Sequence, residues 1–275
     1  MKQLEFAGSE DWNTTLTFVG NATMIIRTAA GTLLTDPSFL HAGDRVHLGY
    51  GVRARRRLEP ALQPADLPPL DAVLLSHLHG DHWDAPAERA LSRSLPIITT
   101  MRAASALRRR GFGATHGLKT WQKLRCRKGE ASLTITAVPA QHGPKAVAML
   151  LPQTNGYTLD TLRGDGSPIR MYISGDTLLF AGLHEIPKRF PNIDVALLHL
   201  GGTRIPHAGF GVLVTLDAAG GLEAVRLLQP QTVVPIHTDD WSVFSSSLDD
   251  FRDGMRRAGL ESQLRIVARG ETIAL

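Results

Sequence analysis

Cysteine is nearly missing from this chain, with Cys126 its single instance. One thiol cannot build an internal disulfide framework, and the scarcity agrees with a reducing cytoplasm as the expected location. No apolar run approaches the length of a membrane span. Met1-Lys2-Gln3-Leu4-Glu5-Phe6 continues into acidic and polar residues, without the apolar core of a signal peptide. Aromatic residues make up 6% of the chain and do not interleave with its arginine blocks. The stacking platforms of a single-strand nucleic-acid binder are therefore not in evidence, and nucleic acid is not an expected partner. Neither a fixed-period repeat nor a domain linker can be found, so residues 1–275 are expected to form one domain.

What is present suits a globular chain with a sizeable core: 43% hydrophobic and 20% charged residues over 275 positions. The net charge of +4 is unevenly spread. Arg53-Ala54-Arg55-Arg56-Arg57 forms one basic block, Arg102 with Arg108, Arg109 and Arg110 a second, and Lys119 to Lys128 a third. Solvated faces are the plainer reading of these blocks, and attraction of an anionic substrate is the functional one. Cys126 lies between Arg125 and Arg127-Lys128, which could lower a thiol pKa, although a structural cysteine is the simpler reading. The expected partner is a small-molecule substrate, and a homo-oligomer is left open.

The densest chemistry lies in Leu74-Leu75-Ser76-His77-Leu78-His79-Gly80-Asp81-His82-Trp83-Asp84. It follows Ala72-Val73-Leu74-Leu75, an apolar run of the right length for a buried strand. Residues two apart on an extended chain point the same way, so His77 and His79 project together and Asp81 can follow them. Gly80 permits the turn that brings His82 to a second position. Neutral imidazole and carboxylate are ligands for zinc, iron or manganese, and solvated loops rarely collect four in six residues.

The stretch His77-x-His79-x-Asp81-His82 resembles the signature of the metallo-β-lactamase-fold hydrolase superfamily. Within it the chain most resembles the branch that contains ascorbate-6-phosphate lactonase and N-acylphosphatidylethanolamine phospholipase D, from about Thr14 to the C-terminus. The resemblance implies a four-layer αβ/βα sandwich, whereas periodicity alone gives only mixed α and β. It also implies that His77, His79 and His142 hold one metal, that Asp81, His82 and His237 hold a second, and that Asp176 bridges them. Asp36 is implied to hydrogen-bond the metal-binding loop; on its own, Asp36-Pro37 reads as a turn pair.

Along the chain, residues 1–13 read as a weakly ordered lead-in, and Thr15–Val19, Thr23–Thr28 and Thr32–Thr35 as an antiparallel meander. Phe39 to Pro69 is loop-like and could flank the site entrance, with His41 and His47 as surface histidines. Helices are expected at Asp84–Leu91, Ala103–Arg110, Leu178–Phe190, Leu216–Leu228 and Leu248–Ala258. Strands are expected at Pro96–Thr99, Leu133–Val138, Ala146–Pro152, Ile169–Ser174, Asp194–Leu200 and Thr232–His237. Gln153–Ser167 reads as a polar excursion, and Leu264–Val267 with Thr272–Ala274 as a terminal hairpin.

His142, Asp176 and His237 each fall at a strand end; alone, Asp176 could be a helix N-cap. Arg204 and His207, in the glycine-rich stretch Gly201–Gly211, are equally readable as substrate contacts or as loop structure. Asp240 and His207 are candidate proton donors, and His199 is read as a packed histidine. An all-histidine/carboxylate set suits two divalent ions, Zn²⁺ first, and Mn²⁺ or Fe also accept it. Such a pair makes hydroxide available near neutral pH to attack a carbonyl carbon or a phosphorus. Asp81 and Asp176 would be the catalytic carboxylates. The expected activity is hydrolysis of an ester, lactone or phosphodiester in a small anionic substrate. The alternatives on the same fold are a di-iron or persulfide-dioxygenase oxidoreductase and a nuclease. The chain departs from the family at Gly20-Asn21-Ala22-Thr23, where relatives often read Gly-His-Ala-Thr, at Asp239-Asp240, and in the longer stretch Thr203–Val214.

Overall fold

Strand Ala131–Pro139 alternates Leu133, Ile135 and Ala137 inward, and Thr23–Thr28 does the same with Met24 and Ile26. Faces of this kind need a partner, and here they bury each other. The structure is a computed structural model that describes residues 2–7, 13–49, 51–148, 150–207 and 210–275; the side chains of Pro206, His207 and Phe210 lie outside the description.

One sheet runs in the order Thr272–Ala274, Thr15–Gly20, Thr23–Thr28, Gly31–Thr35, Ala72–Leu74, Ile97–Thr100, Thr115–Leu118. The other runs Lys2–Glu5, Lys123–Lys128, Ala131–Pro139, Asn155–Leu162, Pro168–Ile173, Val195–His199, Thr232–Ile236. We call these the N-terminal and C-terminal sheets. Each contains a run of antiparallel strands and passes to parallel ones at the side nearest the site. The central core lies between them, with Leu33 and Leu74 facing Leu159, Met171 and Leu197.

Helices cover both outer faces. Ala85–Ala90 and Met101–Arg109 pack Ala87 and Leu107 against Val73 and Ile97. Ala218–Leu228 and Leu248–Arg257 pack Val225, Leu228, Phe251 and Met255 against Leu198 and Val233. Side-chain caps from Asp84, Thr100, Asp217 and Ser247 start these four helices, each satisfying a backbone N–H that has no partner within the helix. The result is the expected αβ/βα sandwich of mixed α/β layers.

Several local expectations are corrected. The lead-in contains strand Lys2–Glu5, paired in parallel with Lys123–Lys128; only Leu4 packs inward, so no clear alternation announces it. Ala146–Pro152 is not a strand: Pro144 opens helix Lys145–Ala148 by accepting from Val147 and Ala148 N–H. Asn155–Leu162, inside the supposed polar excursion, is an inner strand that buries Tyr157 and Leu159. The helix expected at Leu178–Phe190 shrinks to the 3₁₀ turn Ala181–His184 and the short helix Glu185–Arg189, which contains Pro187. The terminal hairpin does not form. Leu264 bridges to Val233, while Thr272–Ala274 crosses to pair with Thr15–Gly20.

Candidate metal centre

The parallel strands deliver their carboxyl ends to one edge of the sandwich, where open α/β sheets place ligands. Leu74 leads to His77, Ile173 to Asp176, and Ile236 to His237. The antiparallel strand Ala131–Pro139 contributes His142 just beyond its end. Sharp backbone bends aim these groups. Asp36 and His237 adopt left-handed φ values of 34° and 58°, uncommon for residues with a side chain.

His77, His79 and His142 converge. His77 Nε2 lies 3.0 Å and His142 Nε2 3.4 Å from His79 Nδ1. Outer partners orient two of the rings: Ser76 Oγ is 3.0 Å from His77 Nδ1, and His142 Nδ1 donates to the Val214 carbonyl at 2.8 Å. The bond to the carbonyl leaves the His142 Nε2 lone pair facing inward, as a metal ligand requires.

Asp81, His82 and His237 form a second group beside the first. Asp81 Oδ2 is 3.5 Å from His82 Nε2 and 3.3 Å from His237 Nε2. Asp176 stands between the groups. Its Oδ1 lies 3.5 Å from His82 Nε2 and 3.8 Å from His237 Nε2, while its Oδ2 lies 4.0 Å from His142 Nε2 and accepts from Thr215 Oγ1 at 3.1 Å. Asp36 accepts from the Ser76 backbone at 2.6 Å through Oδ1 and meets His82 Nδ1 at 3.1 Å through Oδ2. It thus ties the histidine-rich loop to one of that loop's own rings.

Burial and charge test whether this set fits a cation. His82 Nε2, Asp176 Oδ1 and Asp81 Oδ1 are buried with no hydrogen-bond partner among the described residues. Buried polar atoms normally have one, so three inward-facing donor atoms without partners call for an electrophile among them. Burial alone would raise the Asp81 pKa, but His82 and His237 bring it down to about 2. Asp176 also sits well below the usual carboxylate range: His237 and His82 outweigh the effect of its burial. Burial and the adjoining His142 lower His79 to about 3, and burial with His82 holds His77 well below the ordinary imidazole value. For His82 the carboxylates of Asp81, Asp176 and Asp36 overcome burial and raise its pKa well above the ordinary value. Ionised carboxylates draw positive charge onto His82 and stand beside the neutral imidazoles of His77, His79 and His142, an environment that recruits cations, and the donor set fits divalent ions.

The model of the β-lactamase superfamily domain matches residues 32–238, the span that carries every one of these groups. The chain belongs to the β-lactamase superfamily. Among its relatives is a protein named UPF0173 metal-dependent hydrolase from Pelotomaculum thermopropionicum, 29% identical over 74% of this chain and 82% of the relative. A possible metal-dependent hydrolase from Veillonella parvula superposes with a TM-score of 0.81 at 21% identity, over 96% of this chain and all of that one. Isothiocyanate hydrolase from Delia radicum gut bacteria superposes with a TM-score of 0.78 at 24% identity, over 95% and 99% of the two chains. Likenesses at these identities establish the fold. The expectation of a metal-dependent hydrolase of the metallo-β-lactamase superfamily is borne out at that level.

The remaining expectations within this superfamily frame fare unevenly. Arg204 is exposed and donates across its own hairpin to the Gly211 carbonyl at 3.1 Å. His207 belongs to strand Arg204–His207, and its side chain lies outside the described residues. Asp240 does not open onto the centre: it is buried in an ion network, 3.4 Å from Arg56 and 3.0 Å from Arg269, and it accepts the Asn21 N–H at 2.9 Å. Asn21 donates from Nδ2 to the Asp81 carbonyl at 2.7 Å, and its own carbonyl accepts the His237 N–H at 2.8 Å. It steadies the second group from behind. His199 is packed, as read: its ring stacks on His82 at 5.9 Å, with Nε2 3.5 Å from Asp36 and Nδ1 3.1 Å from Ser174 Oγ. The sequence reading missed the supporting parts played by Ser76, Thr215, Asn21 and Arg56; none carries a local signal beyond the departure at Asn21.

The loop from Phe39 contains the hairpin Arg45–His47 and Arg53–Arg55 and does flank the centre. Its Leu48 and Val52 join Leu151, Ile205, Val214 and Thr203 around a narrow chamber floored by His79, Asp81, His142 and Asp176. Among the described residues, no helix is long and apolar enough to cross a membrane.

Proposed function

We propose that residues 1–275 act as one hydrolase domain that holds two divalent ions, Zn²⁺ first and Mn²⁺ or Fe as alternatives. The substrate is an ester, lactone or phosphodiester. The reading is carried by Asp176, whose two oxygens face the two histidine groups, a position suited to one carboxylate serving two cations. His77, His79 and His142 would hold one ion, and Asp81, His82 and His237 the other. Divalent ions held by these residues would supply a water of lowered pKa and positive charge to offset the negative charge that develops at the attacked centre. Asp81 and Asp176, both ionised, would accept hydrogen bonds from such a water and fix its direction of attack. Asp36 and Ser76 hold the His82 and His77 rings in the required orientation.

The isothiocyanate carbon of R–N=C=S, the substrate class in the name of the gut-bacterial neighbour, is a further electrophile open to the same water and belongs in the test panel. The test is elemental analysis followed by turnover of generic ester, lactone and phosphodiester substrates by loaded, metal-stripped and Asp176→Asn protein. Two ions per chain, with turnover lost in the latter two preparations, are expected. Equal turnover in all three refutes the reading, and stoichiometric iron with oxygen uptake transfers it to redox chemistry.

A further inference from the structure

We propose that Leu151 sets the size of substrate this centre accepts, and that the substrate carries a slender, uncharged aliphatic group beside its reacting bond. This deepens the hydrolase reading and rests on it. Five aliphatic side chains (Leu48, Val52, Leu151, Ile205 and Val214) wall the chamber over the histidine groups, and the space left holds at most about one water molecule.

Two larger depressions lie outside. One of about 430 Å³ runs past Gln141 to His142, and one of about 420 Å³ runs past Leu78 to His79. Leu151 lines the chamber and both depressions. It is 3% exposed while the adjacent Leu150 is 62% exposed, so the chain turns one leucine into the partition and leaves the other in solvent. Gly143, one residue beyond His142, makes room for it: a Cβ there would come within 2.8 Å of Leu151 Cδ1.

Charge points the same way. Among the described residues, no lysine or arginine lines the chamber. Arg56 is committed to Asp240, Arg204 to its own hairpin, and Arg102 lines only the two outer depressions. An anionic substituent pressed against these aliphatic walls, away from the metal-holding floor, would lose its hydration with no lysine or arginine among the described lining residues to replace it. Among the described residues the arginine blocks therefore leave the chamber wall without a cation, in line with their plainer reading as solvated faces. A methylene buried there is worth about a 4-fold gain in affinity, from roughly 0.8 kcal/mol.

The experiment is calorimetric titration of metal-loaded protein with alkyl hydroxamates from acetohydroxamate to hexanohydroxamate, and with a carboxylate-terminated analogue, alongside metal content and thermal melting. Wild type should bind short chains best and reject hexanohydroxamate and the carboxylate analogue. In Leu151→Ala the optimum should move out by about two methylenes, tightening hexanohydroxamate roughly 15-fold, with acetohydroxamate changed by less than about 2-fold. Leu151→Val guards against a misfolded alanine variant and should move the optimum by about one methylene; Leu151→Met should keep the wild-type profile. An identical chain-length profile in wild type and the shortened variants overturns the proposal. So does tighter binding of the carboxylate analogue, or no binding of the series to loaded wild type. A chain-length shift without turnover of any ester, lactone or phosphodiester upholds the partition and sinks the hydrolase reading instead.

Discussion

The two sheets supply the centre in opposite ways. From the N-terminal sheet, one loop after strand Ala72–Leu74 presents His77, His79, Asp81 and His82 within six residues. From the C-terminal sheet, His142, Asp176 and His237 arrive singly, each after a different strand and separated by dozens of residues. The first arrangement depends on local geometry, namely a tight loop pinned by Asp36. The second depends on the register of whole strands, because Asp176 and His237 reach the edge only if Pro168–Ile173, Val195–His199 and Thr232–Ile236 stay aligned. A metal centre of this kind combines a local clamp with a long-range one.

The largest effect expected bears on that contrast directly. His79→Ala and His142→Ala remove ligands to the same candidate ion, one from the contiguous loop and one from a lone strand end. Each should cut metal occupancy and turnover well beyond the roughly 10–100-fold typical when only an outer partner of a ligand is changed. The two should agree within about 10-fold. If elemental analysis shows full occupancy in one and none in the other, the two halves are not equivalent holders of that ion. Next in size is the network joining the halves, where Asn21 and Arg56 from the N-terminal side meet Asp240 from the C-terminal side. Asp240→Ala leaves Arg56 buried without its counter-charge and should cost about 3–5 kcal/mol, read from the denaturant midpoint. Changing Arg56 and Asp240 together to apolar residues should restore much of it.

The smallest effect isolates one sheet. Cys126 lies in strand Lys123–Lys128, where burial pushes its thiol up to about 12. Its folded pKa is raised, so the associated stability is fully present below the ordinary thiol range near 8.5 and is lost as pH rises toward 12. At pH 8 a thiol reagent should leave the native protein unmodified for hours and react once the C-terminal sheet opens. Rapid modification without unfolding would show that this sheet is the looser of the two.

The contrast between the halves also explains what could be read in advance. The contiguous candidate ligands are visible in the bare sequence because their spacing is itself the geometry. His142, Asp176 and His237 are single residues after ordinary strands, and only a family resemblance separates them from many similar positions. Asp240 misled for a related reason. Beside a ligand histidine it looks catalytic, yet its partners Arg56 and Arg269 come from segments 184 and 29 residues away, which no local pattern connects. Strands Lys2–Glu5 and Asn155–Leu162 were missed because the first is mostly exposed and the second carries threonines among its apolar residues. Helix Ala218–Leu228, by contrast, combines an Asp217 cap with a regular apolar stripe and was legible to within two residues at its start.

The crossing of the chain ends has a consequence for biosynthesis. Lys2–Glu5 completes the sheet built mainly from later residues, and Thr272–Ala274 completes the one built mainly from earlier residues. During translation the earlier sheet therefore waits, one edge strand short, until residues 272–274 have been made. Its exposed Thr15–Gly20 ladder is meanwhile free to pair with any other extended segment. Slow ribosomal transit between the codons for Gly20 and Thr272 would lengthen that vulnerable interval, and a chaperone that shields strand edges would protect it.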